Sequence, residues 1–334
     1  MSTSETQRLQ PVKRFFRWYY FNFSERISAP DEIEQREFGY MNFEGAMIRH
    51  LSFKSPGEYR AFLVRSSPLA AYYSVALYHD PTAPMESKGW IKADLAFDID
   101  IKDASPKIKE NSFWICRSCH SYGPLPKPER CPRCGSKNVD EVEWVCDECM
   151  REVKEAATAL MLLLMEDFGI SRKNIKIYFS GNNGYHFHVL DERMRKLGQP
   201  ERIELVDYIL MNGYDERILQ RNSPEGAVIK QRRKIPIDPN VTVDVRRIFR
   251  APESLHNESG LSKREVERLE SFDPFTDAVV LPDEEVEINV YYMPRIKFKE
   301  QTYGPFKEER LKLPAFLAVY LHLKGLGEII EQGR

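Results

Sequence analysis

The 334 residues contain no apolar run that reaches the ~18 residues of a membrane span, no low-complexity tract and no internal repeat. A membrane-spanning helix and a solenoid of stacked repeats are therefore not expected. Net charge is almost absent as well: 49 Lys and Arg stand against 51 Asp and Glu, leaving -2. Global charge thus gives no footprint of a polyanionic partner, and any nucleic-acid surface has to be a local patch. The opening "MSTSETQRLQPVKRFF" has no apolar signal-peptide core, so an intracellular chain is expected. Cysteine is scarce, and all six lie between 116 and 149. What is plentiful is apolar matter: 42% hydrophobic and 12% aromatic residues can bury a sizeable core, in one large or two modest domains.

The cysteines form three pairs of the same spacing, Cys116-x2-Cys119, Cys131-x2-Cys134 and Cys146-x2-Cys149, with eleven residues between successive pairs. In an intracellular chain this pattern favours metal over disulfides. "CPRCG" from Cys131 to Gly135 is the tight turn that aims two thiolates at one tetrahedral zinc. Cys116, Cys119, Cys131 and Cys134 make a self-contained ribbon, which leaves Cys146 and Cys149 to find other ligands such as His120, or to replace one of the pairs. No open ligand position is evident, so the zinc reads as structural.

Along the chain, "KRFFRWYYFNF" (13–23) starts a helix that packs its aromatics against the body, the commoner fate of such residues than a stacking surface for bases. Residues 58–80 mix helix and strand signals, and 91–101 alternate as a strand. Residues 147–168 have a broad apolar helical face that stops at Gly169. Two short strands surround Ser-Gly-Asn-Asn-Gly in 174–190, residues 191–234 are charged and helical, 235–256 read as strand and turn, and 313–330 close the chain as a helix.

Within "LAFDIDIKD" (95–103), strand alternation projects Asp98 and Asp100 together while Phe97, Ile99 and Ile101 face the core. Two carboxylates side by side repel unless a cation lies between them, and hard oxygen ligands suit Mg²⁺ or Mn²⁺. Alone, Asp-x-Asp reads equally well as a solvated strand face. Two more segments add to it. In "SGNNGYHFH" (180–188) the glycines permit close backbone approach and a turn whose amides can face phosphate, with His186 and His188 on one strand face. Then Asp238, Arg246, Arg247, Arg250 and His256 offer a third carboxylate and cationic donors, the inventory for a triphosphate and its metals.

"FDID", "SGNNGYHFH" and the Asp238 to His256 run, in that order with a cysteine segment between the first two, resemble the small catalytic subunit of the archaeal and eukaryotic type of DNA primase. The likeness continues through "REFGY" (36–40), "IRHLSF" (48–53), "KGW" (88–90), "WVCDEC" (144–149) and "YGPFKEERLKLP" (303–314), and so covers nearly the whole chain.

The resemblance implies an α/β primase-polymerase catalytic core of mixed sheets flanked by helices. The core would span 1–110 and 150–334, with a small helical part at about 191–234 and an inserted zinc-binding segment at 111–149. It matches Asp98, Asp100 and Asp238 to the catalytic metal ligands for Mg²⁺ or Mn²⁺. Asp238 lies twelve residues before Arg250 and eighteen before His256, a spacing that Asp244, the competing choice, fits less well. Ser180, Gly181 and His186 match the nucleotide-binding turn, and Arg250 and His256 the contacts to the incoming triphosphate. At Asn182 and Asn183, where many relatives carry arginine, this chain has no charge. The resemblance implies synthesis of short RNA primers, with DNA primers as a further product, on single-stranded DNA by two-metal-ion nucleotidyl transfer. A separate large regulatory subunit is implied too, because no cysteine outside 116–149 is left to hold an iron–sulfur cluster. A repair or bypass polymerase and a non-catalytic zinc-ribbon binding module are the alternatives.

Overall fold

The computed structural model describes residues 3–213 and 234–330. In chain order, α1 (Thr3–Phe23) precedes β1 (Arg36–Met41), β2 (Met47–Leu51), α2 (Pro56–Ser66), β3 (Ala70–Tyr78), β4 (Trp90–Ala93) and β5 (Leu95–Asp100). Two single-turn helices, α3 (Ile101–Ala104) and α4 (Ile108–Asn111), lead to β6 (Phe113–Cys116), β7 (Tyr122–Pro124) and β8 (Val139–Val142). Next come α5 (Asp147–Glu166), β9 (Ile175–Phe179), β10 (Gly184–Val189), α6 (Glu192–Arg195) and α7 (Gln199–Leu210). After the gap stand α8 (Pro239–Val243), β11 (Ile248–Arg250), β12 (Arg264–Glu265), α9 (Pro274–Asp277) and β13 (Glu285–Met293). The last elements are β14 (Ile296–Phe298), β15 (Gln301–Tyr303), β16 (Phe306–Pro314), α10 (Ala315–Lys324) and β17 (Gly327–Ile329).

This is a mixed α/β fold built on several sheets. One has the order β11-β3-β1-β2, with β4 also on β3; a second has β12-β9-β10-β5; a third has β16-β13-β17. The cysteine segment makes its own sheet, β7-β6-β8. The main hydrophobic core runs from Phe15, Phe16, Tyr19 and Tyr20 of α1, through Phe97 and Ile99 of β5 and Leu160 of α5, to Leu317 and Leu321 of α10. Phe15, Phe16, Tyr19 and Tyr20 are thus packed as expected, whereas Trp18 and Phe21 are exposed, and these aromatics finish a helix that begins at Thr3 rather than starting one.

Local chemistry explains the boundaries. Ser55 caps α2 through Glu58 N–H, with Pro56 at the first helical position, where its missing N–H is not needed. After α5 the chain turns at Gly169, whose positive φ of 62° suits glycine. The expected strand and turn at 235–256 contain the helix α8, because Asp238 caps Asn240 N–H and Pro239 follows at once. The closing helix expected over 313–330 ends at Lys324, since Gly325 adopts φ 68° and redirects the chain into β17, which pairs with β13. Of the expected helical stretch 191–234, α6 and α7 account for the first part, and 214–233 lie outside the described residues. Among the described residues no helix is long and apolar enough to cross a membrane.

Candidate active site

β5 is the edge strand of its sheet, and its alternation is the one the sequence predicts: Phe97 and Ile99 are fully buried, while Asp98 and Asp100 point to the other, partly exposed face. β10 pairs antiparallel with β5 in a register that sets His186 opposite Asp98 and Gly184 opposite Asp100. His186 Nε2 lies 3.6 Å from Asp98 Oδ1. Gly184 is required here, since a Cβ would meet Ile99 O at 2.3 Å.

The outer edge of β5 recruits the third aspartate. Asp238 N–H donates to Asp98 O at 2.9 Å, seating the start of α8 beside the strand. Burial first, then the charges of Asp100 and Asp238, push Asp98 up to about 7. Three carboxylates that repel in this way fit a divalent cation, which would remove the repulsion. They are held more loosely than the cysteines. Among the described residues, only the four-cysteine group brings all its donor atoms within 4.8 Å of one another. Asp244 sits at the far end of α8, exposed, with Oδ1 accepting from Arg246 N–H at 2.9 Å.

The glycine turn faces the same site. Ser180 Oγ accepts from the N–H groups of Asn182 and Gly184 at 3.3 and 3.1 Å, which fixes the loop. Gly181 has φ 94°, and a Cβ there would come 3.0 Å from His256 Cβ, so turn and histidine are in contact. His256 Nδ1 accepts from Glu258 N–H at 3.1 Å, which leaves Nε2–H as a donor. Burial, followed by the charges of Arg250 and Lys324, holds this imidazole well below its ordinary value, so it is neutral. His186 is likewise kept neutral, by burial and then by Lys263, Arg250 and Arg247.

Some expected residues have other occupations. Arg250 is buried, donating to Leu255 O at 3.1 Å and Asn257 Oδ1 at 2.8 Å over the Tyr72 ring, so it braces the loop that carries His256. His188 is a core residue against Phe249 and Tyr178, with Lys263 Nζ 3.2 Å from Nε2. Asn183 donates to Glu143 Oε2 at 3.1 Å, and Asn182 Oδ1 accepts from Lys324 Nζ at 3.2 Å. Glu143 and Lys324 had no signal in the sequence, because they lie 40 and 142 positions from the asparagines they touch.

The cysteines resolve into a four and a two. Cys116, Cys119, Cys131 and Cys134 converge, with Sγ–Sγ distances of 3.6 Å for Cys116–Cys134 and Cys119–Cys131. A tetrahedron of zinc–thiolate bonds has edges of about 3.8 Å, so the set fits zinc. The expectation that Cys146 and Cys149 also bind zinc is corrected. Their sulfurs are bonded to each other at the start of α5, where one helical turn brings an x2-spaced pair together. His120 is not a ligand either; it stacks on Tyr291 at 3.5 Å.

A family model described as DNA primase small subunit matches residues 134–268. A relative from Cenarchaeum symbiosum named DNA primase small subunit PriS is 35% identical, over 93% of this chain and 96% of its own length. The relative of the same name from Nitrosopumilus maritimus is 32% identical, over 94% and 96%. One from Saccharolobus islandicus strain L.S.2.15 is 36% identical, over 95% and 94%. Among solved structures, the polymerase domain of Mycobacterium tuberculosis ligase D in complex with DNA has TM-score 0.42 and 13% identity, over 82% of this chain and 88% of that one.

Proposed function

Since the chain belongs to the DNA primase small subunit family, a family of catalytic nucleotidyltransferases, we propose that it joins nucleoside triphosphates into primers on single-stranded DNA at the Asp98, Asp100 and Asp238 site. The observation that carries this reading is the convergence of β5, the Ser180–Gly184 turn and the Asp238-capped helix on one face, with Asp98 lifted to about 7 by burial and then by its acidic neighbours.

Asp98, Asp100 and Asp238 would hold Mg²⁺ or Mn²⁺. When bound, such ions activate the attacking 3′-hydroxyl and neutralise charge on the transferred phosphoryl group. The chain's own residues bind and orient. Ser180 holds the turn so that its backbone can face the triphosphate, and Gly181 lets His256 approach. The neutral His256 donates Nε2–H to a phosphate oxygen, and Arg250 keeps the loop in place. His186 packs edge-on against Phe249 and sets one wall of the Asp98 pocket. The four-cysteine ribbon holds zinc as a structural element. A separate large subunit would regulate initiation, and the place of action is wherever single-stranded template is exposed in the cell.

The test is nucleotide incorporation on an unprimed single-stranded template, with rNTPs and dNTPs supplied separately. Asp98→Asn and Asp100→Asn keep side-chain volume but remove a negative ligand. Each should lose on the order of 10³-fold or more in rate with an unchanged melting curve. Near-wild-type synthesis by either variant would refute the site. Extension of primed templates only would favour a bypass polymerase.

A further inference from the structure

The nucleotide-binding turn carries no charge of its own, and the structure brings one to it from the other end of the chain. We propose that Lys324, at the last turn of α10, is a binding residue for the triphosphate of the incoming nucleotide, and that Arg117 of the zinc-binding segment holds it in position. This rests on the reading of the Asp98 site given above.

Lys324 Nζ donates to Asn182 Oδ1 at 3.2 Å and lies over the Tyr320 ring at 5.1 Å. Among the described residues no carboxylate comes within 4.0 Å of it. It opens onto a cavity of about 410 Å³ that it shares with Asn182, Asn183, Glu143 and Glu258. Its charge also acts on His256, the donor at the opposite side of the turn. Burial pulls the ammonium down to about 8, against weaker support from Glu258 and Glu143. A desolvated cation without an ion-pair partner is costly unless an anion arrives, and a triphosphate is such an anion. Arg250, the cation that the sequence points to, has two nitrogens bonded to Leu255 and Asn257. That leaves Lys324 the better placed to meet phosphate.

Its position depends on the ribbon. Arg117, the residue after Cys116, donates to Gly325 O at 2.7 Å and to Lys324 O at 3.2 Å. These are open carbonyls at a helix C-terminus, where a cation is favoured. Asp140 fixes the guanidinium through Nε at 2.6 Å, and Arg117 N–H is bonded to Asn138 O. Gly325 leaves the guanidinium its place, since a Cβ would fall 1.6 Å from Arg117 Nη1 and displace it, and its φ of 68° suits glycine. The zinc-binding segment is thereby tied to the nucleotide site by Arg117 as well as by Glu143, which accepts from Asn183.

Steady-state kinetics with the nucleotide varied test this, together with competition by inorganic triphosphate and by the bare nucleoside. Lys324→Ala should raise the nucleotide KM roughly ten- to a hundredfold, with the effect mainly in KM. It should weaken inhibition by triphosphate and leave that by nucleoside alone. Lys324→Arg should restore most of the affinity. Lys324→Gln, nearly isosteric and uncharged, should not, which separates charge from packing if the alanine variant folds poorly. Arg117→Ala should raise KM several-fold in the wild-type background and have no further effect beside Lys324→Gln. An unchanged KM in Lys324→Gln, or equal affinity in the Arg and Gln variants, would overturn the proposal. Asp98→Asn assayed in parallel distinguishes the two failures. If it is inactive while Lys324→Gln is unaffected, only the lysine inference falls; if it is active, the site assignment itself falls.

Discussion

Asp98 and Asp238 sit far apart in sequence yet share a backbone hydrogen bond, which sets Asp238 and not Asp244 beside the strand. Asp238 is drawn to the β5 edge, and its charge acts on Asp98. Asp244 faces solvent at the opposite end of a five-residue helix, where it caps Arg246. Asp238→Asn should therefore lower kcat by about 10³-fold, whereas Asp244→Asn should stay within a few-fold of wild type in kcat and close to it in stability, since an asparagine oxygen accepts from Arg246 N–H as the carboxylate does. Measuring kcat and melting temperature for both variants checks this. An inactive Asp244→Asn beside an active Asp238→Asn would reverse the assignment.

At the level of elements, the ribbon of β6, β7 and β8 is small, and its own core holds little more than Trp114, Val139 and the cysteines. Such a unit buries too little to stabilise itself, and a metal on its four cysteines would supply what burial does not. It docks by stacking Tyr122 on Tyr292 and His120 on Tyr291, with Arg117 at the end of α10. Replacing Cys131 and Cys134 by serine should remove about one zinc per chain and lower the melting temperature by several degrees, without abolishing synthesis at saturating nucleotide. Cys146→Ser should leave the zinc content unchanged, because that cysteine is bonded to Cys149 outside the cluster. Metal analysis of the purified variants reads both outcomes, and a zinc-free wild-type preparation with an unaltered melting curve would contradict the structural role.

The whole molecule buries more than one neutral histidine, and that gives its stability a direction in pH. His188 and His322 are almost wholly inaccessible, and burial holds both below the ordinary imidazole value of 6.5. At His322 the neutral form is required by geometry: Nδ1 accepts from Ile329 N–H at 3.1 Å, so Nε2–H is the donor to Arg8 O at 2.6 Å. Below about pH 6.5 the unfolded chain takes up protons that the folded chain refuses, so unfolding gains and stability falls as pH drops. The contribution is fully present above that pH. Each histidine should make the protein less stable at pH 5.5 than at pH 7.5. Urea unfolding at the two pH values, for wild type and His322→Gln, should show a smaller drop in the variant. An equal drop would show that His322 is not one of the titrating groups.

Much of this could be read along the chain. The alternation in "LAFDIDIKD" determined that Asp98 and Asp100 share a face, the run 147–168 determined a helix ended by Gly169, and the cysteine spacings pointed to a metal site within 116–149 without selecting its four sulfurs. These are local properties, with periods of two or 3.6 residues or a two-residue turn. Local signals misled where one residue overrode its neighbours: Asp238-Pro239 starts a helix inside a strand-like stretch, and Gly325 breaks an apolar run into helix and strand. The tertiary structure alone decided the rest. It placed Asp238 rather than Asp244 on the β5 edge, bonded Cys146 to Cys149 instead of to metal, committed Arg250 to its own loop, and carried Lys324 across 142 positions to the Ser180–Gly184 turn. Those outcomes depend on which backbone groups and carboxylates the packed elements bring within a few ångströms, and no pattern within a single segment encodes a distance between two segments.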